Sequence, residues 1–126
     1  MTKKILIGLG IAVVIIGFFV FLYQQSNKPG KLDTFATCIK DSGARFFGAW
    51  WCPHCQNQKA RFGRSAKLLP YIECSTPDRK QIENCTTEGI TGYPTWKFAD
   101  GSVEKTEMEL AELAEKTQCV LPTDTK

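Results

Sequence analysis

The sequence predicts an α/β domain, in which a mixed four-stranded sheet is flanked by helices, preceded by one transmembrane helix. An uncharged apolar run of nineteen residues lies near the amino terminus. The segments that follow alternate between strand-like and helix-like patterns. A Cys-x-x-Cys motif at residues 52–55 falls where the first predicted strand turns into a helix. The chain of 126 residues leaves room for one small domain beyond the apolar run.

The apolar run from Ile5 to Tyr23 is the predicted transmembrane helix. As a helix it would be about 28 Å long, close to the hydrocarbon thickness of a bilayer. A cleavable signal peptide has a shorter apolar core and a small-residue cleavage site, whereas this run ends in aromatic residues. We therefore expect an uncleaved anchor over residues 1–23, a tether over 24–31, a folded domain over 32–120 and a polar tail over 121–126.

The charges around the apolar run and the cysteines both bear on the compartment of the domain. Lys3 and Lys4 precede the run, but Lys28 and Lys31 follow it, so the positive-inside rule only weakly places the amino terminus in the cytoplasm. Six cysteines, an even number, are typical of a small domain in an oxidising compartment. Both observations predict a single-pass protein of the cell membrane with its folded domain outside the cytoplasm.

The net charge of +3 does not come from the folded domain. From Lys31 onward the chain has thirteen Lys and Arg residues and thirteen Asp and Glu residues, so this part is neutral. The excess consists of Lys3, Lys4 and Lys28, which flank the apolar run. A nucleic-acid partner is therefore not expected.

Eight elements are predicted after the tether. They are a helix over 32–42, a strand over 44–49, a helix over 56–69, a strand over 71–75, a helix over 79–88, strands over 94–98 and 103–106, and a helix over 110–117. Asp100-Gly101 is a hairpin signal between the last two strands. Gly63 interrupts the second helix, and either a kink or close packing against the sheet would explain it. A βαβ unit followed by a hairpin and a helix, with Cys-x-x-Cys at its first strand-to-helix turn, is the order of the thioredoxin fold.

The Cys-x-x-Cys motif places a nucleophile at the start of a helix. Pro53 suits the first helical position, because it has no N–H to leave unpaired and its φ is already helical. Cys52 then becomes the N-cap residue, and the positive end of the helix dipole stabilises its thiolate. Cys55 lies one turn further in, on the more buried side, and is the predicted resolving cysteine. This geometry supports thiol–disulfide exchange.

Two other interpretations of the motif are a structural disulfide and half of a zinc site. Zinc would need two further ligands, and Cys74 and Cys85 lack the spacing of a second Cys-x-x-Cys motif. We therefore expect neither a metal nor an organic cofactor. His54, the only histidine, lies between the two motif cysteines. It is either a solvated loop residue or, as we expect, a group that stabilises the Cys52 thiolate and makes the disulfide more oxidising.

The remaining four cysteines allow three pairings. Cys74 with Cys85 is local and joins a strand end to the next helix, so we favour it. That choice leaves Cys38 with Cys119, which would tie the first helix of the domain to the last. We expect two structural disulfides worth about 2–4 kcal/mol each. The rival interpretation is a second redox pair that passes electrons to the motif.

The motif and a second segment together resemble a known family. Trp-Cys-Pro-His-Cys at 51–55 is similar to the active site of thioredoxin-superfamily oxidoreductases, and the Pro-His dipeptide is that of DsbA-type oxidases. Tyr-Pro-Thr at 93–95 occupies the place of the family's cis-proline. Residues 47–58 and 92–96 most resemble the thioredoxin-like domain attached to bacterial homologues of vitamin K epoxide reductase. The resemblance implies that Trp51, Tyr93 and a cis Pro94 border the bound substrate.

One position departs from this family. Thioredoxin and DsbA carry a buried acidic residue six positions before the first active-site cysteine, and here that position is Phe46. A buried carboxylate can accept the proton of the resolving thiol. Water or another group must therefore do so in this chain.

The function that these features predict is a membrane-anchored, extracytoplasmic oxidase that passes its Cys52–Cys55 disulfide to protein thiols and is reoxidised by a membrane oxidase. The substrates implied by the resemblance are secreted or periplasmic proteins, and the implied partner is a membrane oxidase such as a vitamin K epoxide reductase homologue or a DsbB-like protein. An anchored reductase or isomerase of the same fold is the first alternative. A non-catalytic binding or chaperone module is the second. We expect a monomer.

Overall fold

The computed structural model describes residues 2–123 and contains five α-helices, a 3₁₀ helix and four strands within that range. These are α1 (Thr2–Ser26), α2 (Asp33–Asp41), β1 (Arg45–Gly48), α3 (Pro53–Phe62), the 3₁₀ helix (Gly63–Leu68), β2 (Tyr71–Glu73), α4 (Glu83–Thr87), β3 (Thr95–Lys97), β4 (Val103–Glu104) and α5 (Leu110–Thr117). The sheet order is β2-β1-β3-β4, with β1 and β2 parallel and the other neighbours antiparallel. The predicted α/β class with a mixed four-stranded sheet is confirmed, and the architecture is consistent with a thioredoxin-like fold.

Helix α1 extends three residues beyond the predicted anchor and takes in the start of the predicted tether. None of its residues is buried. Its most apolar window has a mean hydropathy of 3.1, and within residues 2–123 it is the one helix whose length and composition fit a membrane crossing. Residue 1 of the predicted anchor and residues 124–126 of the predicted polar tail lie outside the described residues.

Stacked aromatic rings fix the centre of the sheet. Phe46 of β1 stacks on Trp96 of β3 with ring centroids 4.6 Å apart, and Trp96 stacks in turn on Phe98. Phe35 of α2 stacks on Phe62 at the end of α3. Each buried aromatic ring of this kind contributes about 1.5–3 kcal/mol by leaving water. This core holds β1 in the middle of the sheet and therefore fixes the strand end from which the motif projects.

Gly63 ends α3 with a left-handed backbone, at φ +53°. The chain then continues as the 3₁₀ helix. No atom lies within 4 Å of the position that a Cβ at Gly63 would take. The glycine therefore serves a change of direction between two helices, and close packing against the sheet is not its role.

Helix α4 begins later than the pattern predicts, at Glu83 instead of about Arg79. Arg79 has a left-handed backbone, at φ +63°. The Lys80 N–H donates to the Thr76 hydroxyl, and Ser75 pairs with Gln81 as an isolated bridge. A turn closed by a threonine side chain thus replaces the first predicted helical turn, because such local hydrogen bonds compete with helix formation.

Two disulfides are present, and they join the pairs that the sequence favours. Cys38 in α2 is bonded to Cys119, which follows α5, across 81 residues of sequence. Cys74, directly after β2, is bonded to Cys85 in α4 across 11 residues. The first ties the two ends of the folded domain together, and the second secures α4 to the sheet.

Candidate active site

The motif lies between β1 and α3, where the predicted nucleophile caps a helix. Cys52 is the N-cap residue with an extended backbone, and Pro53 occupies the first turn of α3. The Cys52 side chain is nearly buried, with 4% of the residue exposed, and Cys55 is fully buried. Both cysteines are free thiols. The Cys52 sulfur thus lies at the positive end of a ten-residue helix, where a thiolate is stabilised.

Cys55 differs from Cys52 in its burial. Burial, and to a smaller extent a hydrogen bond with Cys52, raise the pKa of the Cys55 thiol to about 12. A backbone hydrogen bond with Ala49 and the charge of Lys59 act in the opposite direction. The hydrogen bond shows that the two sulfurs are close enough to interact. Cys55 therefore keeps its proton at neutral pH and is not the first thiol to attack.

The three residues expected to border the substrate lie next to Cys52. The Cys52 sulfur is 3.7 Å from the Tyr93 carbonyl oxygen, and the Tyr93–Pro94 peptide bond is cis. The Trp51 and Tyr93 rings meet edge to face with centroids 6.0 Å apart, and 38% of Trp51 is exposed. The Trp51 indole N–H donates to the Ser75 hydroxyl at 2.8 Å. These contacts form a partly open apolar rim on one side of the nucleophile.

His54 faces a carboxylate that the sequence pattern does not reveal. Its Nδ1 lies 2.6 Å from Glu107 Oε1, and its side chain is 69% exposed. Glu107 also accepts hydrogen bonds from Asn57 and Arg61. The hydrogen bond with His54 is the main cause that lowers the pKa of Glu107. This contact fixes the His54 ring two residues from Cys52, although Glu107 is more than fifty residues away in sequence.

Phe46 lies six positions before Cys52, where the family resemblance leads us to expect a buried acidic residue. It is fully buried and stacked on Trp96, so this position provides no carboxylate. Other polar groups come from elsewhere: Lys59 of α3 interacts with Cys55, and from β2 Tyr71 lies beside the Cys55 sulfur while Glu73 interacts with Tyr71 and Lys59. The sequence analysis did not single out any of these three residues. The only available signal was the helical spacing of four that separates Lys59 from Cys55.

The described part of the chain offers no candidate metal centre. Within residues 2–123, no three His, Cys, Asp or Glu side chains are placed to hold an ion together. The two motif cysteines lie beside a helix, a carbonyl and an apolar rim, and these surroundings suit covalent sulfur chemistry.

The fold and the site together define a thioredoxin-like domain with a Cys-x-x-Cys motif at its first strand-to-helix turn. Over 99 residues the chain is 46% identical to a protein of Arabidopsis thaliana named thiol-disulfide oxidoreductase LTO1, a match that covers 75% of this chain and 26% of that protein. Over 77 residues it is 31% identical to a protein disulfide-isomerase of Aspergillus oryzae, covering 55% of this chain and 14% of that protein. No family model matches the chain.

The chain thus spans about a quarter of the length of the first relative and less of the second. Both relatives carry names that denote thiol–disulfide chemistry. The similarities and the paired cysteines support a thioredoxin-superfamily protein of the thiol–disulfide oxidoreductase class.

Proposed function

We propose that this chain is a membrane-anchored, extracytoplasmic thiol–disulfide oxidoreductase that oxidises the thiols of secreted or periplasmic proteins. The observation that carries the proposal is the asymmetry of the two motif cysteines. Cys52 caps a helix at the edge of the apolar rim, whereas Cys55 is buried and the pKa of its thiol is raised to about 12. Such a pair has one sulfur at the substrate surface and one that retains its proton.

The proposed reaction begins with the oxidised motif. A substrate thiolate attacks the Cys52 sulfur, the Cys52–Cys55 bond breaks, and Cys55 departs with the electron pair and takes up a proton. A second substrate thiolate then attacks the substrate sulfur of the mixed disulfide, and Cys52 departs as a thiolate. The substrate has lost two electrons and gained a disulfide, and the motif is left as a dithiol.

The neighbouring residues have distinct roles in this proposal. His54 stabilises the departing Cys52 thiolate, which makes the motif more oxidising, and its contact with Glu107 holds the ring in place. Trp51, Tyr93 and Pro94 form the surface against which a substrate segment lies. Pro53 sets the helical turn that begins immediately after the nucleophile.

The cycle requires a partner that restores the disulfide. We propose a membrane oxidase, such as a vitamin K epoxide reductase homologue or a DsbB-like protein. Helix α1 would hold the domain at the membrane surface where such a partner lies, since it is long and apolar enough to span a bilayer. The two further disulfides of the domain suit an oxidising compartment.

The reduction potential of the Cys52–Cys55 pair tests the direction of electron flow. The full chain in detergent micelles is equilibrated with glutathione redox buffers, and the motif thiols are alkylated and quantified by mass spectrometry. A potential close to that of DsbA, about −120 mV, supports the oxidase. A potential close to that of thioredoxin, about −270 mV, refutes it. The Cys52→Ser variant is the control, because it cannot form the motif disulfide.

A second candidate is a disulfide isomerase, which the name of the Aspergillus oryzae relative favours. An isomerase reshuffles wrong disulfides in a substrate without any external oxidant. Incubation of the dithiol form with a substrate that carries scrambled disulfides separates the two functions. Recovery of substrate activity without an oxidant supports the isomerase, and recovery only from a reduced substrate with the disulfide form supports the oxidase. Activity that persists in Cys52→Ser would instead support a non-catalytic binding module.

A further inference from the structure

The buried sulfur of Cys55 begins a series of interacting side chains that we call the Cys55 cluster: Cys55, Lys59, Tyr71 and Glu73. A Cβ placed on Gly48 would lie 3.0 Å from the Cys55 sulfur and 2.7 Å from Cε2 of Tyr71. Because Gly48 has no side chain, the sulfur and the tyrosine ring approach each other across the end of β1. The Lys59 ammonium lies 3.3 Å from the centroid of the same ring.

Lys59 and Cys55 share one face of α3. They are four residues apart, which places them one helical turn from each other. Lys59 is half-buried, and it interacts electrostatically with Glu73 and with Cys55. An amine in this position is close enough to the sulfur to interact with its charge and still reaches solvent at its edge.

Glu73 is held in a fixed position beside the active-site loop. Its Oε2 accepts a hydrogen bond from the Tyr71 hydroxyl at 2.8 Å. Its Oε1 accepts hydrogen bonds from the backbone N–H groups of Trp50 and Ser75, at 3.2 and 2.9 Å. Three donors thus orient the carboxylate, and its charge is available to hold Lys59 as an ammonium.

We propose that Lys59, positioned by the ring of Tyr71 and the charge of Glu73, is the residue that exchanges a proton with Cys55. This inference rests on the proposed function, since it concerns a step of thiol–disulfide exchange at the same motif. It supplies a proton-transfer group to a site where Phe46 offers none.

In the oxidising direction a proton moves from Lys59 to Cys55. A substrate thiolate forms a bond to the Cys52 sulfur, and the Cys52–Cys55 bond breaks with its electron pair on Cys55. The Lys59 ammonium donates a proton to the Cys55 thiolate and recovers one from water at its exposed edge. When a membrane oxidase restores the disulfide, the Lys59 ammonium first gives a proton to water. The neutral amine then accepts the proton of Cys55 and returns to the ammonium form, so the net proton goes to solvent.

Opposite pKa shifts make this transfer favourable. Burial lowers the pKa of Lys59 below its ordinary value, and burial raises the pKa of Cys55 to about 12. The ammonium is therefore the stronger acid of the two. The other titratable groups that face the cluster are Cys52 and Tyr93, and burial also raises the pKa of Tyr93. Neither is placed to serve as a cationic donor.

The experiment measures how fast excess dithiothreitol reduces the motif disulfide of the full chain in detergent micelles. Samples are quenched with acid, alkylated and analysed by mass spectrometry from about pH 7 to about pH 10.4, the ordinary pKa of lysine. Each rate is divided by the concentration of dithiothreitol thiolate. For the wild type this normalised rate falls as pH rises, because the ammonium of Lys59 is lost.

The variants separate proton transfer from charge and from folding. Lys59→Met is expected to lower the normalised rate about tenfold at neutral pH, below the usual range for acid–base catalysis because a thiolate can leave unprotonated. Its profile should be flat with pH. Lys59→Arg keeps the charge but does not release a proton at these pH values, so its profile should also be flat. Lys67→Met, an exposed lysine on the 3₁₀ helix, is the matched control and should behave as wild type.

A wild-type profile in Lys59→Met or in Lys59→Arg would overturn the proposal. Should Lys59→Met fail to fold, Lys59→Gln and Lys59→Arg still give the pH profile. A nuclear magnetic resonance titration of the Cys55 Cβ in the dithiol form provides a second readout. Its pKa should rise in Lys59→Met, and an unchanged pKa would also overturn the proposal. If the wild type itself showed no exchange with dithiothreitol, the proposed function would fail, which is a separate result.

Discussion

Removal of each structural disulfide in turn should distinguish a stabilising bond from a redox-active one. The perturbation is a pair of double variants, Cys38→Ala with Cys119→Ala and Cys74→Ala with Cys85→Ala. The first bond spans 81 residues and the second spans 11. From loop-closure entropy, the longer loop is worth about 4.5 kcal/mol and the shorter about 2.8 kcal/mol.

Thermal unfolding of the full chain in detergent micelles, followed by circular dichroism, measures this difference. At about 4–8 °C per kcal/mol for a domain of this size, the first variant should melt about 7–14 °C below the second. Both should melt below the wild type. The dithiothreitol reduction rate of the Cys52–Cys55 disulfide should remain unchanged in both variants at a temperature where they are folded, since neither pair takes part in the proposed step.

Two results would refute this reasoning. A larger loss of stability in the variant that lacks Cys74–Cys85 would show that loop length does not govern the effect. A variant that melts like the wild type but no longer oxidises a substrate over repeated turnovers would identify its cysteines as a second redox pair, which is the rival interpretation of these residues.

Two further predictions follow from the surroundings of Cys55. Gly48→Ala should lower the free energy of unfolding by about 1–3 kcal/mol, because the new methyl group would crowd Tyr71 and Cys55, whereas Gly92→Ala should have little effect, since no atom lies within 4 Å of its Cβ position. Urea unfolding measures both, and equal stabilities would contradict the crowding argument. The dithiol form should also lose stability between pH 9.0 and about 12, because the folded-state pKa of Cys55 is raised above the ordinary thiol value. The stability that comes from keeping the Cys55 thiol protonated is fully present below pH 9.0. In the disulfide form Cys55 does not titrate, so that form should not lose stability through Cys55. Melting temperatures of the two forms across this range test the claim, and parallel curves would contradict it.

Local chemistry explains which parts of the fold the sequence predicts well. Helix α5 has the predicted bounds, Leu110–Thr117, because its apolar spacing and its capping box both act within one or two turns. The Asp100-Gly101 turn joins β3 to β4, and Gly101 takes the left-handed backbone for which glycine is suited. Cys52 caps α3, and Pro53 follows it at the start of the helix. In each case the neighbouring residues alone determine the conformation.

The start of α4 shows where such patterns are insufficient. Residues 79–82 carry no helix breaker, yet the hydroxyl of Thr76 and the bridge between Ser75 and Gln81 hold the chain in a turn. The Cys55 cluster shows the same limit at the site. Nothing in the sequence brings β2 to α3, and only the register that sets Gly48 opposite Glu73 does so.

The sequence by itself determined the class of the fold, the position of the nucleophile at a helix start and the favoured pairs of cysteines, because periodicity, capping and short loops are local properties. Only the tertiary structure decided which groups face the buried sulfur and which carboxylate faces His54. Tyr71 approaches Cys55 across the missing side chain of Gly48, Glu73 is hydrogen-bonded to Tyr71, and Glu107 reaches His54 from the segment before α5. Apart from the four-residue spacing of Cys55 and Lys59 on α3, those contacts depend on strand register and helix packing, which combine residues distant in sequence.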